Sequence, residues 1–181
     1  LYEVAMKNYY RVMLGRKSVH AATCIAGNFI GGDFEIPQDL SGDLPDDWRA
    51  FNNKFIPIFL AGHPGKSKIS AGLACGALWT IAKGIKASDL VLCPDGTGIY
   101  RVGEVSGEYY YVPGDVLPHR RPVLWLSQTI NRADMSDALK YSTGSIGAIS
   151  TITGYQDEIE KLIGRESKPL IMSTDGTIED P

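Results

Sequence analysis

Long apolar runs and paired cysteines are both missing from this chain of 181 residues. No segment of about eighteen consecutive apolar residues occurs, so we expect no association with a membrane. The three cysteines, Cys24, Cys75 and Cys93, stand far apart, and without a Cys-x-x-Cys pair they lack the spacing of a zinc site. Unclustered cysteines are typical of a reducing compartment, and we therefore expect a cytoplasmic protein.

A strong charge of either sign is missing as well, since the formal net charge is −3 at pH 7. This near balance excludes a histone-like or ribosomal protein, but it leaves open a basic face on part of the surface. Residues 48–88 contain no acidic residue, and His119, Arg120 and Arg121 form a second basic segment. A DNA backbone favours such a surface through counterion release, although lysines on the solvated side of a helix are equally expected. The basic residues of the acid-free segment are Arg49, Lys54, Lys66, Lys68, Lys83 and Lys86.

Catalytic and metal-binding signatures are missing too. Asp95 followed by Glu104 resembles the acidic pair of a restriction-fold nuclease, but Ser106 stands where that site needs a lysine. Asp95 also lies in an Asp-Gly turn, for which a structural role is the usual one. The three histidines have neither carboxylate nor cysteine neighbours at the spacing of a triad or metal site. We therefore predict no catalytic residue, no metal ion and no cofactor in this chain.

The hydrophobic pattern predicts one compact domain over residues 6–163, followed by a polar linker over 164–181. Short strands with interspersed helices indicate an α+β fold, a small β-barrel of about five to six strands with flanking helices. Pro57 is expected to kink or end the second helix. The predicted strands cover 9–14, 28–36, 89–94, 99–105, 109–112, 122–127 and 146–152, and the predicted helices cover 18–27, 48–57, 66–83, 134–141 and 155–163.

Aromatic residues suggest a binding surface. Alternate residues of a strand face opposite sides, so the run Tyr109–Tyr111 cannot pack into a single core, and some of its rings should be exposed or line a pocket. Aromatic faces beside basic residues are suited to base stacking. Most tryptophans are largely buried, so the core is the first interpretation for Trp48 and Trp125, whereas Trp79 fits a core or a pocket equally well.

Six segments of the sequence form a recognisable arrangement: NFIGGDF (28–34), DLS (39–41), ALWTIAKGIKASDLV (77–91), IYRVGEV (99–105), YYY (109–111) and HRRPVLW (119–125). Together they resemble the EVE-like and YTH-like domains of the PUA superfamily. The arrangement is most similar to the N-terminal part of Mrr-like, modification-dependent restriction endonucleases. Two departures are that Ser88 stands where these domains usually have glycine, and Phe34 where they often have tryptophan.

The resemblance implies a PUA-like domain that binds double-stranded DNA and accepts a flipped, modified base, most simply a methylated one, in a pocket. This chain would then be the targeting module of a restriction or phage-defence endonuclease, with a nuclease domain after the linker through which the protein could dimerise. The expected base-pocket residues are Trp79, Trp48, Phe34, Tyr109, Tyr110 and Tyr111. The expected DNA-backbone residues are Lys66, Ser67, Lys68, Lys83, Lys86, His119, Arg120 and Arg121.

Two alternatives stay open from the sequence. PUA-like domains also bind RNA, so an RNA-binding module or a reader of RNA modifications is the second interpretation. The third is an enzyme of the ASCH-like amidohydrolase type, which would need a lysine and a glutamate facing each other in the pocket. Lys83 and Glu104 are the pair to test for that activity.

Overall fold

A computed structural model describes residues 6–165 of the chain. They form a mixed α+β domain in which a sheet curls into a half-barrel and helices flank it, which confirms the predicted α+β class. Six strands follow one another across the sheet, and a further strand of two residues pairs with one of them. The sheet remains an open half-barrel because its two outer strands do not pair with each other. Residues 166–181 of the predicted linker lie outside the described residues.

The elements alternate along the chain much as predicted. The helices are α1 (Ala21–Gly27), α2 (Trp48–Gly62), α3 (Lys68–Trp79), α4 (Asp137–Thr143) and α5 (Gln156–Leu162). The strands are β1 (Tyr9–Val12), β2 (Phe29–Gly32), β3 (Leu90–Pro94), β4 (Ile99–Val105), β5 (Tyr110–Tyr111), β6 (His119–Asn131) and β7 (Ile149–Thr151). Their order across the sheet is β2-β6-β4-β3-β1-β7, with β5 beside the start of β6. Among residues 6–165, every helix is too short or too polar to cross a lipid bilayer.

The central strand β3 shows how the sheet separates two cores. Its apolar residues are all buried, and they alternate between the two faces. Val91 and Cys93 pack into the first core, which contains residues of α1, whereas Leu90 and Leu92 pack into the second core, which contains residues of α4 and α5. A strand that is covered on both faces has a continuous run of apolar residues, and this pattern predicted β3.

Helices α2 and α3 form a third core beside the sheet. Asp47 caps α2 by accepting a hydrogen bond from the backbone N–H of Arg49. Pro57 does not end this helix, because α2 continues to Gly62. Pro57 has no backbone N–H to donate to the carbonyl of Asn53. Both residues are exposed, so water can satisfy that carbonyl. The buried aromatic face of the helix packs into the third core and holds the helix together across the proline.

Candidate nucleic-acid interface

A cavity of about 390 Å³ opens where β1 and β2 end. Phe34 supplies its one aromatic wall, and Met13 and Leu117 supply aliphatic ones. Four of its eleven lining residues are glycines, which add no side chain to its walls. We call it the Phe34 cavity. Its other lining residues are Gly15, Arg16, Lys17, Gly31, Gly32, Asp33, Gly147 and Ala148.

Unusual backbone conformations concentrate around the Phe34 cavity. Lys17, Phe34 and Leu117 line it with φ values of 55°, 52° and 46°, in the left-handed region that residues with a Cβ seldom adopt. Each such residue costs free energy of roughly 1–3 kcal/mol, which the surrounding structure must supply. Conformations of this kind cluster at ligand-binding sites, and their position therefore marks this cavity as a functional candidate.

Two glycines of β2 allow the close packing behind the cavity. A Cβ on Gly31 would lie 2.8 Å from the carbonyl oxygen of His119, a distance that real Cβ atoms do not reach. A Cβ on Gly32 would lie 2.1 Å from the ring of Phe34, so this ring lies directly against the Gly32 backbone. The regular pairing of β2 with β6 shows that the glycines serve a close approach and not a bulge.

The rim of the Phe34 cavity carries charge of both signs. The side chain of Asp33 is exposed and accepts one hydrogen bond, from the backbone N–H of Glu35. Arg16 and Lys17 are also exposed, and within residues 6–165 neither forms an ion pair. A ligand in the cavity would therefore meet one hydrogen-bond acceptor, with two cations available for a neighbouring anion.

A second cavity of about 390 Å³ brings together the two tryptophans predicted for a pocket. Trp79 is half-buried, and its Nε1 donates a 2.8 Å hydrogen bond to the carbonyl of Pro45. Trp48 is 43% exposed, so it does not belong to a core, and the guanidinium of Arg49 lies 4.6 Å from its ring centre. Trp125, in contrast, packs against the first core as expected. We call this site the tryptophan cavity; its lining also includes Gly72, Leu73, Gly76, Ala77, Thr80 and residues 146–149.

The loop of residues 144–148 separates the two cavities. Gly147 and Ala148 line both of them. The buried side chain of Arg11 holds this loop from β1 by donating hydrogen bonds to the carbonyls of Gly147 at 2.8 Å and Ser145 at 2.7 Å. The backbone N–H of Met13 donates another, at 2.8 Å, to Ala148. We call residues 144–148 the Ile146 loop, after the exposed residue at its centre.

The tyrosine run lies away from both cavities. Tyr110 packs against the first core and Tyr109 against the third, so two cores take up the rings that one core could not. Tyr111 packs on His119, with the ring centres 4.9 Å apart. None of the three is among the residues that line the Phe34 cavity or the tryptophan cavity. The structure therefore gives the tyrosines a packing role outside the linings of these two cavities.

His119 lies at the centre of a buried hydrogen-bond chain. Its Nε2 lies 2.7 Å from the carbonyl of Ile36, which can only accept, so this nitrogen carries the proton. Its Nδ1 then accepts from the hydroxyl of Tyr109 at 2.8 Å, and that oxygen accepts from the N–H of Leu40. Burial lowers the pKa of His119 and raises the pKa of Tyr109 to about 12. The imidazole is thus neutral and fully buried, and the prediction that it contacts the DNA backbone is corrected.

The two arginines after His119 are also interior residues. Arg120 donates to the carbonyls of Val116 and Leu117 and pairs with Asp115 at 3.0 Å. Its guanidinium lies 3.8 Å from the ring centre of Phe29. Since Arg120 is buried, we remove it from the predicted DNA-backbone residues.

Arg121 has a comparable structural role. Its guanidinium is buried and donates to the carbonyls of Gly107, Ile81 and Ile85. Ile81 lies in the π-helical turn Thr80–Gly84, which continues α3, and Ile85 directly follows this turn. Arg121 therefore satisfies carbonyls that this wider turn leaves unpaired, and it too is removed from the predicted DNA contacts.

The predicted cations of the acid-free segment remain on the surface. Lys66 and Lys68 are exposed at the start of α3, where Ser67 caps the helix by accepting from the N–H of Ser70. Within residues 6–165 neither lysine forms an ion pair. Lys86 is exposed as well, whereas Lys83 pairs with Asp46 at 3.3 Å.

Lys83 and Asp95, which were considered for catalysis, each pair with another residue in the described structure. Lys83 pairs with Asp46, and it makes no ion pair with Glu104 within residues 6–165. Asp95 accepts two hydrogen bonds from Thr97 and pairs with Arg101 at 3.5 Å, as expected for a turn residue. Among the same residues no group of three or more histidine, cysteine, aspartate or glutamate side chains is placed to hold a metal ion.

Sequence reasoning missed most of the Phe34 cavity. Arg16 and Lys17 follow β1 in a Gly-Arg-Lys turn, a signal that could have been used because loops after strands often carry binding residues. No local pattern indicates that Leu117 lies against Gly31 of β2. Gly147 and Ala148 join the site from more than a hundred residues away, and no local pattern indicates this.

Comparison with known proteins gives one family match. The model of a family described as a domain of unknown function, DUF8426, matches residues 10–153. The matched range begins in β1 and ends just after β7, so it contains both cavities and the Ile146 loop. No curated protein and no solved structure matches the chain.

Proposed function

The chain belongs to this family of domains of unknown function, and we propose that it is a PUA-like domain that reads a modified base in double-stranded DNA. The base would leave the duplex and enter the Phe34 cavity. The observation that carries the proposal is this cavity itself: an aromatic wall, glycine backbone, an exposed carboxylate and two cations at the rim that form no ion pair within residues 6–165. Flipped bases are bound by stacking and by hydrogen bonds to their edges, for which these groups are suited.

A detail of the backbone supports the PUA-like assignment. Ser88 adopts φ of 81°, a conformation that favours glycine. This is the position where the EVE-like and YTH-like domains usually have glycine. The conformation agrees with the alignment of residues 77–91 with those domains, and the open half-barrel with its flanking helices is compatible with a small barrel of that type.

Asp33 favours a particular class of base. An ionised carboxylate only accepts hydrogen bonds, so it pairs with an exocyclic amino group such as that of cytosine or adenine. Guanine also offers an amino group, whereas thymine has none. We therefore propose a modified base that carries an exocyclic amino group as the ligand, with a methyl group against the apolar walls, and methylated cytosine and adenine are the first to test.

Exposed cations around the two cavities would hold the sugar–phosphate backbone. Arg16 and Lys17 border the Phe34 cavity, and Lys66, Lys68 and Lys86 lie along the acid-free segment. Phosphate contacts of this kind fix the position of the duplex without reading its sequence. We also propose that this domain directs a nuclease domain to modified DNA. The proposed location is the cytoplasm, in which the three buried cysteines stay reduced.

A binding panel with the wild-type chain tests the proposal. Labelled duplexes that carry a single 5-methylcytosine, a single N6-methyladenine or no modification are titrated at one fixed salt concentration, together with RNA of the same sequence. We expect one modified duplex to bind at least about tenfold more tightly than the unmodified one. Equal affinity for all three duplexes would contradict the proposal, and tighter binding to RNA would identify an RNA-binding domain instead.

A further inference from the structure

Ile146 is an apolar side chain placed fully in solvent beside the proposed base site. It is the most exposed of the large hydrophobic residues in the described structure. Single exposed apolar residues are common and need no explanation by themselves. Ile146, however, lines the tryptophan cavity together with Leu73, which is 73% exposed, and Trp48. The three form an apolar group at the surface, next to the Phe34 cavity.

The position of Ile146 is held firmly. The residues on either side, Ser145 and Gly147, receive hydrogen bonds from the buried guanidinium of Arg11, and Ala148 receives one from the backbone of Met13. The Ser145 hydroxyl accepts a further one from Arg11, at 3.0 Å. A loop tied to a central strand in this way loses little conformational freedom when it binds a ligand, so the backbone that carries Ile146 is already in place.

The Ile146 loop also connects the two cavities. Gly147 and Ala148, directly after Ile146, form a wall of the Phe34 cavity. When a base leaves a duplex, it leaves an apolar gap between the neighbouring base pairs, and proteins that unstack DNA fill such gaps with Ile, Leu, Met, Phe or Pro. An isoleucine one residue from the cavity wall is at the right place to fill a gap beside the base that the cavity holds.

From these contacts we infer that Ile146 is the wedge that enters the duplex in place of the flipped base, with Leu73 packing beside it. The inference rests on the proposed function, because a wedge has a role only if a base is flipped. The charges around the loop favour the DNA duplex as the occupant of this apolar surface. Exposed Arg16 and Lys17 border the Phe34 cavity, and Lys66 and Lys68 precede the helix that carries Leu73.

The test compares two substrates that differ in the need for a wedge. One is a fully paired duplex with the modified base that the wild-type chain prefers. In the other, the same modified base lies opposite an abasic site, so no partner base has to be stabilised after flipping. The variants are Ile146→Ala, the conservative Ile146→Met, and Ile58→Ala as a control, since Ile58 is an exposed isoleucine of α2 that lines neither cavity.

For Ile146→Ala we expect a loss of about tenfold in affinity for the paired duplex and less than about twofold for the abasic one. Ile146→Met should restore most of the loss, and Ile58→Ala should bind both duplexes as the wild type does. Since Ile146 is in solvent, its truncation leaves the fold intact, which a thermal unfolding curve checks.

Each other result overturns a defined part of the account. Wild-type affinity of Ile146→Ala for the paired modified duplex would overturn the wedge and leave the base-reading function standing. An equal loss of affinity for both substrates would show that Ile146 only contacts the surface of the DNA, which would also overturn the wedge. If the wild-type chain itself does not distinguish modified from unmodified duplexes, the proposed function fails and the wedge fails with it.

Discussion

The guanidinium of Arg11 donates a 2.8 Å hydrogen bond to the carbonyl oxygen of Gly147, across 136 residues of the chain. Arg11 lies in a strand at the interior of the sheet, while Gly147 lines both the Phe34 cavity and the tryptophan cavity. A buried cation thus holds an exposed loop against the site. Removal of this contact should loosen the site and leave the sheet in place.

We therefore predict that Arg11→Met weakens binding of modified DNA by roughly fivefold through disorder of the Ile146 loop. The carbonyls of Ser145 and Gly147 lie at the surface, so water can satisfy them once the guanidinium is gone. Hydrogen exchange at the amides of residues 145–148 should become faster, while the amides of β3 stay protected. Arg101→Met, which removes a half-buried arginine paired with Asp95, is the control. Unchanged exchange in the loop would show that Arg11 does not hold it.

Ser88→Gly should stabilise the domain by up to about 1.6 kcal/mol. The left-handed conformation of Ser88 costs roughly 1–2 kcal/mol for a residue with a Cβ, and glycine removes this cost while adding about 0.4–1 kcal/mol of entropy to the unfolded chain. The free energy of unfolding in urea measures the difference. Gly154→Ala is a control in which the added Cβ meets no atom within 4 Å. A loss of stability in Ser88→Gly would remove one support for the PUA-like alignment.

The buried imidazole of His119 should make stability depend on pH. Because its pKa is lowered in the folded protein, the unfolded chain binds a proton first as the pH falls through its ordinary value of about 6.5. The free energy of unfolding should then decrease below pH 6.5, by at most about 1.4 kcal/mol per pH unit, until the folded-state pKa is reached. His119→Gln should remove this part of the dependence, and His20→Gln should retain it. Identical curves for wild type and His119→Gln between pH 7 and 5 would contradict the prediction.

Five exposed cations are assigned to contacts with the DNA backbone, and they predict how DNA binding depends on salt. They are Arg16, Lys17, Lys66, Lys68 and Lys86. If about five phosphates are neutralised, log affinity should fall with log salt at a slope near −4.5. A double substitution of Lys66 and Lys68 by Gln should reduce the slope by about 2 and weaken modified and unmodified duplexes equally. The corresponding double substitution of the buried Arg120 and Arg121 would instead be expected to unfold the domain. A flat salt response of the wild type would show that these cations only solvate the surface.

Local patterns were sufficient for much of the fold. The hairpin of β3 and β4 was predicted with the correct bounds for β4, because a Gly-rich turn between apolar runs is a strong local signal. The predicted strand 122–127, in contrast, is β6 over His119–Asn131, since its first residues gain their strand partners from β2 and β5. That extension places His119 and the two following arginines inside the domain.

The candidate site was less predictable for a related reason. From sequence alone, three consecutive basic residues indicate a phosphate-binding surface. Only the tertiary structure shows that Arg121 instead donates hydrogen bonds to the interior carbonyls of Ile81 and Ile85. The positive φ values of Lys17 and Leu117 are imposed by the fold around them and leave no mark in residue type. Trp48 and Trp79 were considered for a pocket as aromatic residues and Phe34 through the family resemblance, but their division between two cavities required the Ile146 loop.

The most direct test of the account is the ratio of affinities for modified and unmodified duplex, measured for the wild type and for Phe34→Ala. Tyr141→Ala, which truncates an exposed ring outside both cavities, is the matched control. Loss of a stacking ring costs about 1–3 kcal/mol per base, so the ratio should fall by roughly fivefold or more in Phe34→Ala, while binding of unmodified DNA changes little. The Tyr141→Ala ratio should equal that of the wild type. A folded Phe34→Ala variant that keeps the full preference for modified DNA would contradict the claim that the Phe34 cavity holds the base.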